Sequence, residues 1–136
     1  MKKSKIIIHA VGKRKRAVAR ATLREGSGKI RINSVPLELY RPKYAKLRIE
    51  EPLILAKDVV KNVDIDVNVK GGGVFGQVDA IRVAICNALV KFNKNLRKLF
   101  LSFDRSLLVS DPRRTEPHKP SRSSAGPRRK KQQSKR

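Results

Sequence analysis

The chain has no tryptophan, one cysteine, and only two tyrosines and four phenylalanines among 136 residues. One thiol builds no disulfide framework, so a disulfide-stapled secreted scaffold is excluded. So few aromatics rule out base stacking as the main mode of nucleic-acid binding. Acids are scarce as well: 11 Asp and Glu stand against 34 Lys and Arg, a net charge of +23. Self-repulsion at this charge opposes a compact isolated state, and a polyanionic partner relieves it. Long apolar runs are also missing. Nothing approaches the ~20 residues that span a bilayer, and the basic C-terminal stretch carries no bulky apolar residues opposite its charges. With the membrane set aside, nucleic acid is the expected partner.

The first residues, MKKSKIIIHAVGKRKR, resemble a secretory signal only in Lys2, Lys3 and Lys5. The apolar run from Ile6 to Val11 is too short and contains His9, and Lys13 to Arg16 follow with no small-residue cleavage site. With the lone Cys86, this predicts a cytoplasmic protein.

Charge and apolar pattern divide the chain unevenly. Residues 113–136 carry ten basic side chains and one acid, Glu116, against 24 and ten upstream. The downstream segment has no apolar periodicity, and Pro117, Pro120, Gly126 and Pro127 hold it extended. We therefore expect a folded domain over 1–112 and a basic tail over 113–136 that is disordered until a partner orders it. An extended peptide enters gaps between RNA helices that a domain cannot. Each residue reaches at most ~3.3–3.6 Å, so 24 residues span up to ~80 Å.

Within the body, Lys5 to Val11 reads as a strand, and Arg16 to Arg24 as another with one small apolar face and one partly basic face. Glu25 to Gly28 reads as a turn leading to Lys29–Asn33, which predicts a hairpin between those two strands. Pro52, preceded by Glu50 and Glu51, suits the start of a helix running to about Asp58. Val63 to Lys70 alternates Val63, Ile65, Val67 and Val69 with Asp64, Asp66, Asn68 and Lys70, the clearest strand in the chain. Helices follow at about Phe75–Phe92, with Val78, Ile81, Ile85, Leu89 and Phe92 on one stripe, and at Leu96–Phe103. The fold class is α+β, a single domain with a mostly four-stranded sheet covered by helices.

The stretch KGGGVFGQVDAIR joins strand to helix. Gly71, Gly73 and Gly76 match G-x-G-x-x-G, but no acid lies between Asp79 and Asp104 to take a ribose, and the preceding strand alternates instead of being buried on both faces. A P-loop fails too, because Gln77 and Val78 stand where Lys and Ser or Thr belong. Two readings stay open: a tight turn built on positive-φ glycines, or that turn with Gly71, Gly72 and Gly73 also presenting backbone N–H groups to an RNA phosphate. Asp64 and Asp66 are expected to pair with Lys or Arg, and Cys86 to be a buried thiol. His9 and His118 have no partners at metal-ligand spacing. No catalytic residue, metal or cofactor is expected.

Lys13, Arg14, Lys15 and Arg16 form a basic run beside Arg20 and Arg24, with Lys29 and Arg31 placed across the predicted turn. This predicts a cationic sheet face for phosphates, with recognition by backbone contact and shape. Engagement of ~6–10 phosphates implies a loss of about 10³–10⁵ in affinity between 50 and 200 mM salt.

GKRKRAVARA (12–21), GKIRIN (28–33), EEPLILA (50–56), GGGVFGQVDAIRVAI (71–85), NALVKF (87–92), FDRSLLVSDPRRTEPHKP (103–120) and the terminal GPRRKKQQSKR together resemble the universal ninth protein family of the small ribosomal subunit, archaeal and eukaryotic type. The resemblance implies a sheet with helices on one face and a left-handed βαβ crossover. It implies a structural, non-enzymatic protein in the small-subunit head, bound to small-subunit ribosomal RNA beside other ribosomal proteins. It adds Arg82, Arg113, Arg114, Arg122, Arg128, Arg129, Lys130 and Lys131 as ribosomal RNA contacts. It places Ser134, Lys135 and Arg136 on peptidyl-site tRNA. Lys135 stands where archaeal and eukaryotic members usually have Tyr, leaving a cationic contact in place of stacking. Two other readings remain: a free-standing nucleic-acid-compacting protein, and a nucleotide-binding enzyme at Gly71 to Gly76.

Overall fold

A computed structural model describes residues 6–109. It is α+β, with one mixed sheet of five strands in the order β1-β2-β5-β3-β4 and helices packed on one face. β1 (Ile7–Arg14) and β2 (Ala17–Glu25) form an antiparallel hairpin closed by Lys15 and Arg16. β5 (Val63–Lys70) pairs antiparallel with β2 and parallel with β3 (Ile30–Ile32). β3 turns through Asn33 and Ser34, both at positive φ, into the two-residue strand β4 (Val35–Pro36). Positive φ at both loop positions is the signature of the hairpin turn whose twist matches its strands. The Asn33 side chain then continues the β3–β5 ladder, accepting from the Val69 N–H at 2.9 Å and donating to the Val69 carbonyl at 3.3 Å.

The predicted hairpin between β2 and β3 does not form, because β5 lies between them. β5 has the most apolar inward face, and Val63, Ile65, Val67 and Val69 are all buried in the sheet centre. Glu25 to Gly28 is a bridge across the end of β5, pinned where the Gly26 N–H meets the Asn62 carbonyl at 3.0 Å. Period-two alternation shows which side chains face inward but not which strand is the neighbour.

The first helix also differs from expectation. α1 spans Lys43–Leu55, with Pro42 at its N-cap and Pro52 inside it. The proline that starts the helix is Pro42. Pro52 falls near the far end, buried against the core, and its missing N–H forfeits one bond shortly before the helix stops. Ala45, Ile49 and Leu53 form the buried stripe, and a four-residue helix, α2 (Lys57–Val60), follows. β3 and β5 are thus parallel neighbours joined through α1 and α2.

α3 (Val74–Phe92) and α4 (Leu96–Phe103) lie where predicted. α3 is buried on nearly every side because it is held between the sheet and α1. Ala80, Ala84 and Ala88 are buried along with Ile81, Ile85 and Leu89. Its axis runs opposite to β1. Gly76 lies by the Arg14 carbonyl, Ala80 and Ala84 by Gly12, and Lys91 donates to the His9 carbonyl at 2.8 Å. Cys86 is fully buried, and burial pushes its thiol up to about 12, so it is an inert core side chain. In α4, Leu96 and Phe100 are buried, while Leu99 and Phe103 remain exposed.

Candidate nucleic-acid interface

With the helices on one face, the other face of β1, β2 and β5 presents cross-strand rows. From the hairpin end these are Lys13, Val18 and Lys70; Val11, Arg20 and Asn68; His9, Thr22 and Asp66; and Ile7, Arg24 and Asp64. Alternate residues lie about 7 Å apart along a strand and neighbouring strands about 4.8 Å apart. The face is therefore polarised. Its hairpin end holds Lys13, Arg20 and Lys70 with no acid, and Lys15 and Arg16 extend it at the turn.

The opposite end is moderated by carboxylates. Asp66 meets Arg31 at 3.6 Å. Asp64 accepts the backbone N–H groups of Lys29 and Ser27, each at 3.0 Å. The Lys29 hydrogen bond, reinforced by that from Ser27, holds the Asp64 carboxyl below its ordinary range. Lys29 and Arg31 are thus separated from β2 by β5 and its acids, and the cationic face does not extend across the predicted turn.

Among the cations on and directly behind this face, two groups stand out. Arg14 points to the helix side and meets Asp79 at 3.6 Å. Arg48 also bonds Asp79, at 3.0 Å. Arg82 is only 6% exposed and donates to Glu51 at 3.0 Å, tying α3 to α1. Lys46 faces Glu50 one turn on at 3.7 Å. Lys13, Lys15, Arg16, Arg20, Arg24 and Lys70 are exposed, and among the described residues no acceptor holds them. Sequence reasoning placed Arg14 and Arg82 with the RNA contacts; the structure gives both protein carboxylates. It passed over Lys70 as a contact because its alignment with Lys13 and Val18 depends on strand order.

The glycine turn sits at this same end, directly after Lys70. Gly71 and Gly72 take φ 81° and 68°, and a side chain on Gly71 would meet the Arg16 carbonyl oxygen 2.5 Å away. The hairpin loop and the glycine turn are therefore in contact. Gln77 fastens the turn by donating to the Gly71 carbonyl at 3.1 Å. Gly73 differs: its φ is negative and nothing lies within 4 Å of where a Cβ would stand. Gly73 caps α3 without a side-chain bond. The fold uses the bareness of Gly71 and Gly72, whereas Gly73 leaves open backbone for a ligand. A dinucleotide loop is disfavoured here, since β5 is antiparallel to one of its two neighbours.

Arg113, Arg114, Arg122, Arg128 to Lys131, and Ser134 to Arg136 lie outside the described residues.

Comparison with known proteins adds an independent finding. Residues 12–136 match the model of a family described as ribosomal protein S9/S16. The chain is 58% identical over 130 residues to the small ribosomal subunit protein uS9 of Methanococcus maripaludis, covering 94% of this chain and 97% of the relative. The corresponding protein of Methanococcus vannielii is 57% identical over the same length and the same shares.

Proposed function

The chain belongs to the ribosomal protein S9/S16 family, a structural component of the small ribosomal subunit, and from that premise we propose how its parts divide the work. The hairpin end of the open sheet face binds small-subunit ribosomal RNA. Lys13, Lys15, Arg16, Arg20 and Lys70 contact phosphates, Arg24 adds to them, and the backbone at Gly73 approaches a further phosphate beside the start of α3. Arg14 and Arg82 hold α3 and α1 in place behind that surface. The tail carries Arg113, Arg114, Arg122 and Arg128 to Lys131 into the same RNA, in the small-subunit head beside other ribosomal proteins. Ser134, Lys135 and Arg136 support peptidyl-site tRNA. The protein acts without catalysis, on cytoplasmic ribosomes.

The observation that carries the RNA contact is the division of cations. Arg14, Arg48 and Arg82, on the helix side, have carboxylate partners, whereas six cations of the open face and its hairpin loop, five of them at the hairpin end, have none among the described residues. Desolvating a cation is costly unless an anion replaces the water, so a set left unpaired on one surface suits an anionic partner.

The test is the binding of full chain to small-subunit ribosomal RNA as a function of salt. If the six cations each neutralise a phosphate, they account for a fall of about 10³ between 50 and 200 mM. The triple substitution Lys13→Ala, Arg20→Ala and Lys70→Ala should flatten the salt slope by about three contacts. An unchanged slope rejects this face. Equal affinity for an unrelated RNA would favour a general compacting protein.

A further inference from the structure

α1 and α3 meet along three successive rungs, spaced alike on both helices. Tyr44 stacks on Phe75, Arg48 bonds Asp79, and Glu51 bonds Arg82. The offsets are four and then three residues on each helix, so the two run in the same direction and their first turns lie side by side. The two ionic rungs are explained by holding α1 to α3. The aromatic rung is left facing water. Its ring centroids are 5.4 Å apart with planes 28° from parallel, yet Tyr44 is 49% and Phe75 60% exposed. The chain has only six aromatic residues, and two of them are stacked at the surface with large ring area uncovered.

The surroundings favour an anionic aromatic ligand. Neither α1 nor α3 has an acidic residue in its first turn or a side chain capping its first N–H groups. Lys43, next to Tyr44, is exposed. Gly76, next to Phe75, abuts the Arg14 carbonyl, so the Lys15–Arg16 loop flanks the first turn of α3. A ring that continues this stack therefore has cations on both sides and no nearby first-turn carboxylate to repel it.

We propose that Tyr44 and Phe75 form a stacking platform for one unpaired nucleobase of small-subunit ribosomal RNA, with the adjoining phosphates drawn to the basic hairpin loop. This rests on the ribosomal RNA reading above and adds a contact of a different kind to it. The base extends the aromatic stack by one ring. The contact is tolerant of base identity, because every base offers a π-face.

Full-length variants are compared on small-subunit ribosomal RNA across a salt series, with a thermal melt of each as a folding control. Phe75→Ala and Tyr44→Ala should each weaken binding by about 5- to 100-fold. The salt slope should not change, because no counterion is released by a ring. Tyr44→Phe should bind as the parent does. Phe75→Trp keeps a ring and introduces a tryptophan into a chain that has none, so its emission should be quenched as ribosomal RNA is added. Parent-like affinity in Phe75→Ala, or unquenched emission at saturating RNA, overturns the platform while leaving the sheet-face contact standing. Parent protein that shows no preference for this RNA overturns both. If Phe75→Ala binds naked RNA normally but loses a neighbouring protein in assembled subunits, the pair is a protein contact and the proposal fails.

Discussion

Lys15 is held at φ 55° in the two-residue loop between β1 and β2. A left-handed backbone costs a residue with a Cβ roughly 1–2 kcal/mol, and glycine is the usual occupant of such a position. The fold gains nothing visible from a lysine there, since among the described residues its side chain has no partner and is exposed. Strain kept at one residue is explained when its side chain serves a ligand. Lys15→Gly should therefore raise stability by about 0.5–1 kcal/mol, the relief of strain less the added freedom of the unfolded chain. It should also lower ribosomal RNA affinity and reduce the salt slope by about one. Thermal melts and a salt titration of the same variant check both halves. A variant that is more stable and binds as before would show that the lysine does not touch RNA.

At the scale of elements, the fold depends on how closely α3 approaches β1. Gly12 is buried on β1, and a Cβ there would fall on the Ala80 carbonyl oxygen and the Ala84 amide nitrogen, both backbone atoms of α3. A helix backbone cannot step aside as a side chain can. Gly12→Ala should cost roughly 3 kcal/mol or more, at the upper end of overpacking effects. The melting temperature should fall by more than about 10 °C for a domain of this size. A small shift would mean that α3 slides freely on the sheet. The sequence shows part of this arrangement. The alternation of Val63 to Lys70 and the stripe from Val78 to Leu89 correctly give the buried faces of β5 and α3, because side-chain period is a local property. Burial on the remaining sides of α3, including that of Arg82, is not local and depends on α1. The place of β5 between β2 and β3 and the role of Pro42 over Pro52 were likewise hidden, since each is decided by packing partners far away in the chain. The basic run at Lys13 to Arg16 was visible at once, whereas the separation of Arg14 from its neighbours needed the position of Asp79. The Tyr44–Phe75 pair was invisible for the same reason: they are 31 positions apart in the chain, and only the parallel course of α1 and α3 brings them together.

For the whole molecule, charge is shared unevenly between residues 1–112 and residues 113–136. Upstream of residue 113, ten acids accompany 24 basic residues, and several of them fix arginines within the fold. Downstream, one acid accompanies ten basic residues. Ordering residues 113–136 on RNA costs backbone entropy, and charge-assisted bonds to phosphate must offset it. The more of their cations that find phosphates, the smaller the net cost, so the length from Arg113 to Lys131 should contribute to holding the protein in the subunit. The last three residues add two more cations, a small share of the total for assembly but all of the proposed contact with tRNA. Removing Ser134 to Arg136 should leave co-sedimentation with small subunits after a high-salt wash unchanged and weaken peptidyl-site tRNA binding by roughly 10-fold. Removing residues 113–136 should impair both. Subunits carrying the three-residue truncation that retain tRNA as tightly as intact ones would place the tRNA contact elsewhere, and the tail would then be an anchor in ribosomal RNA alone.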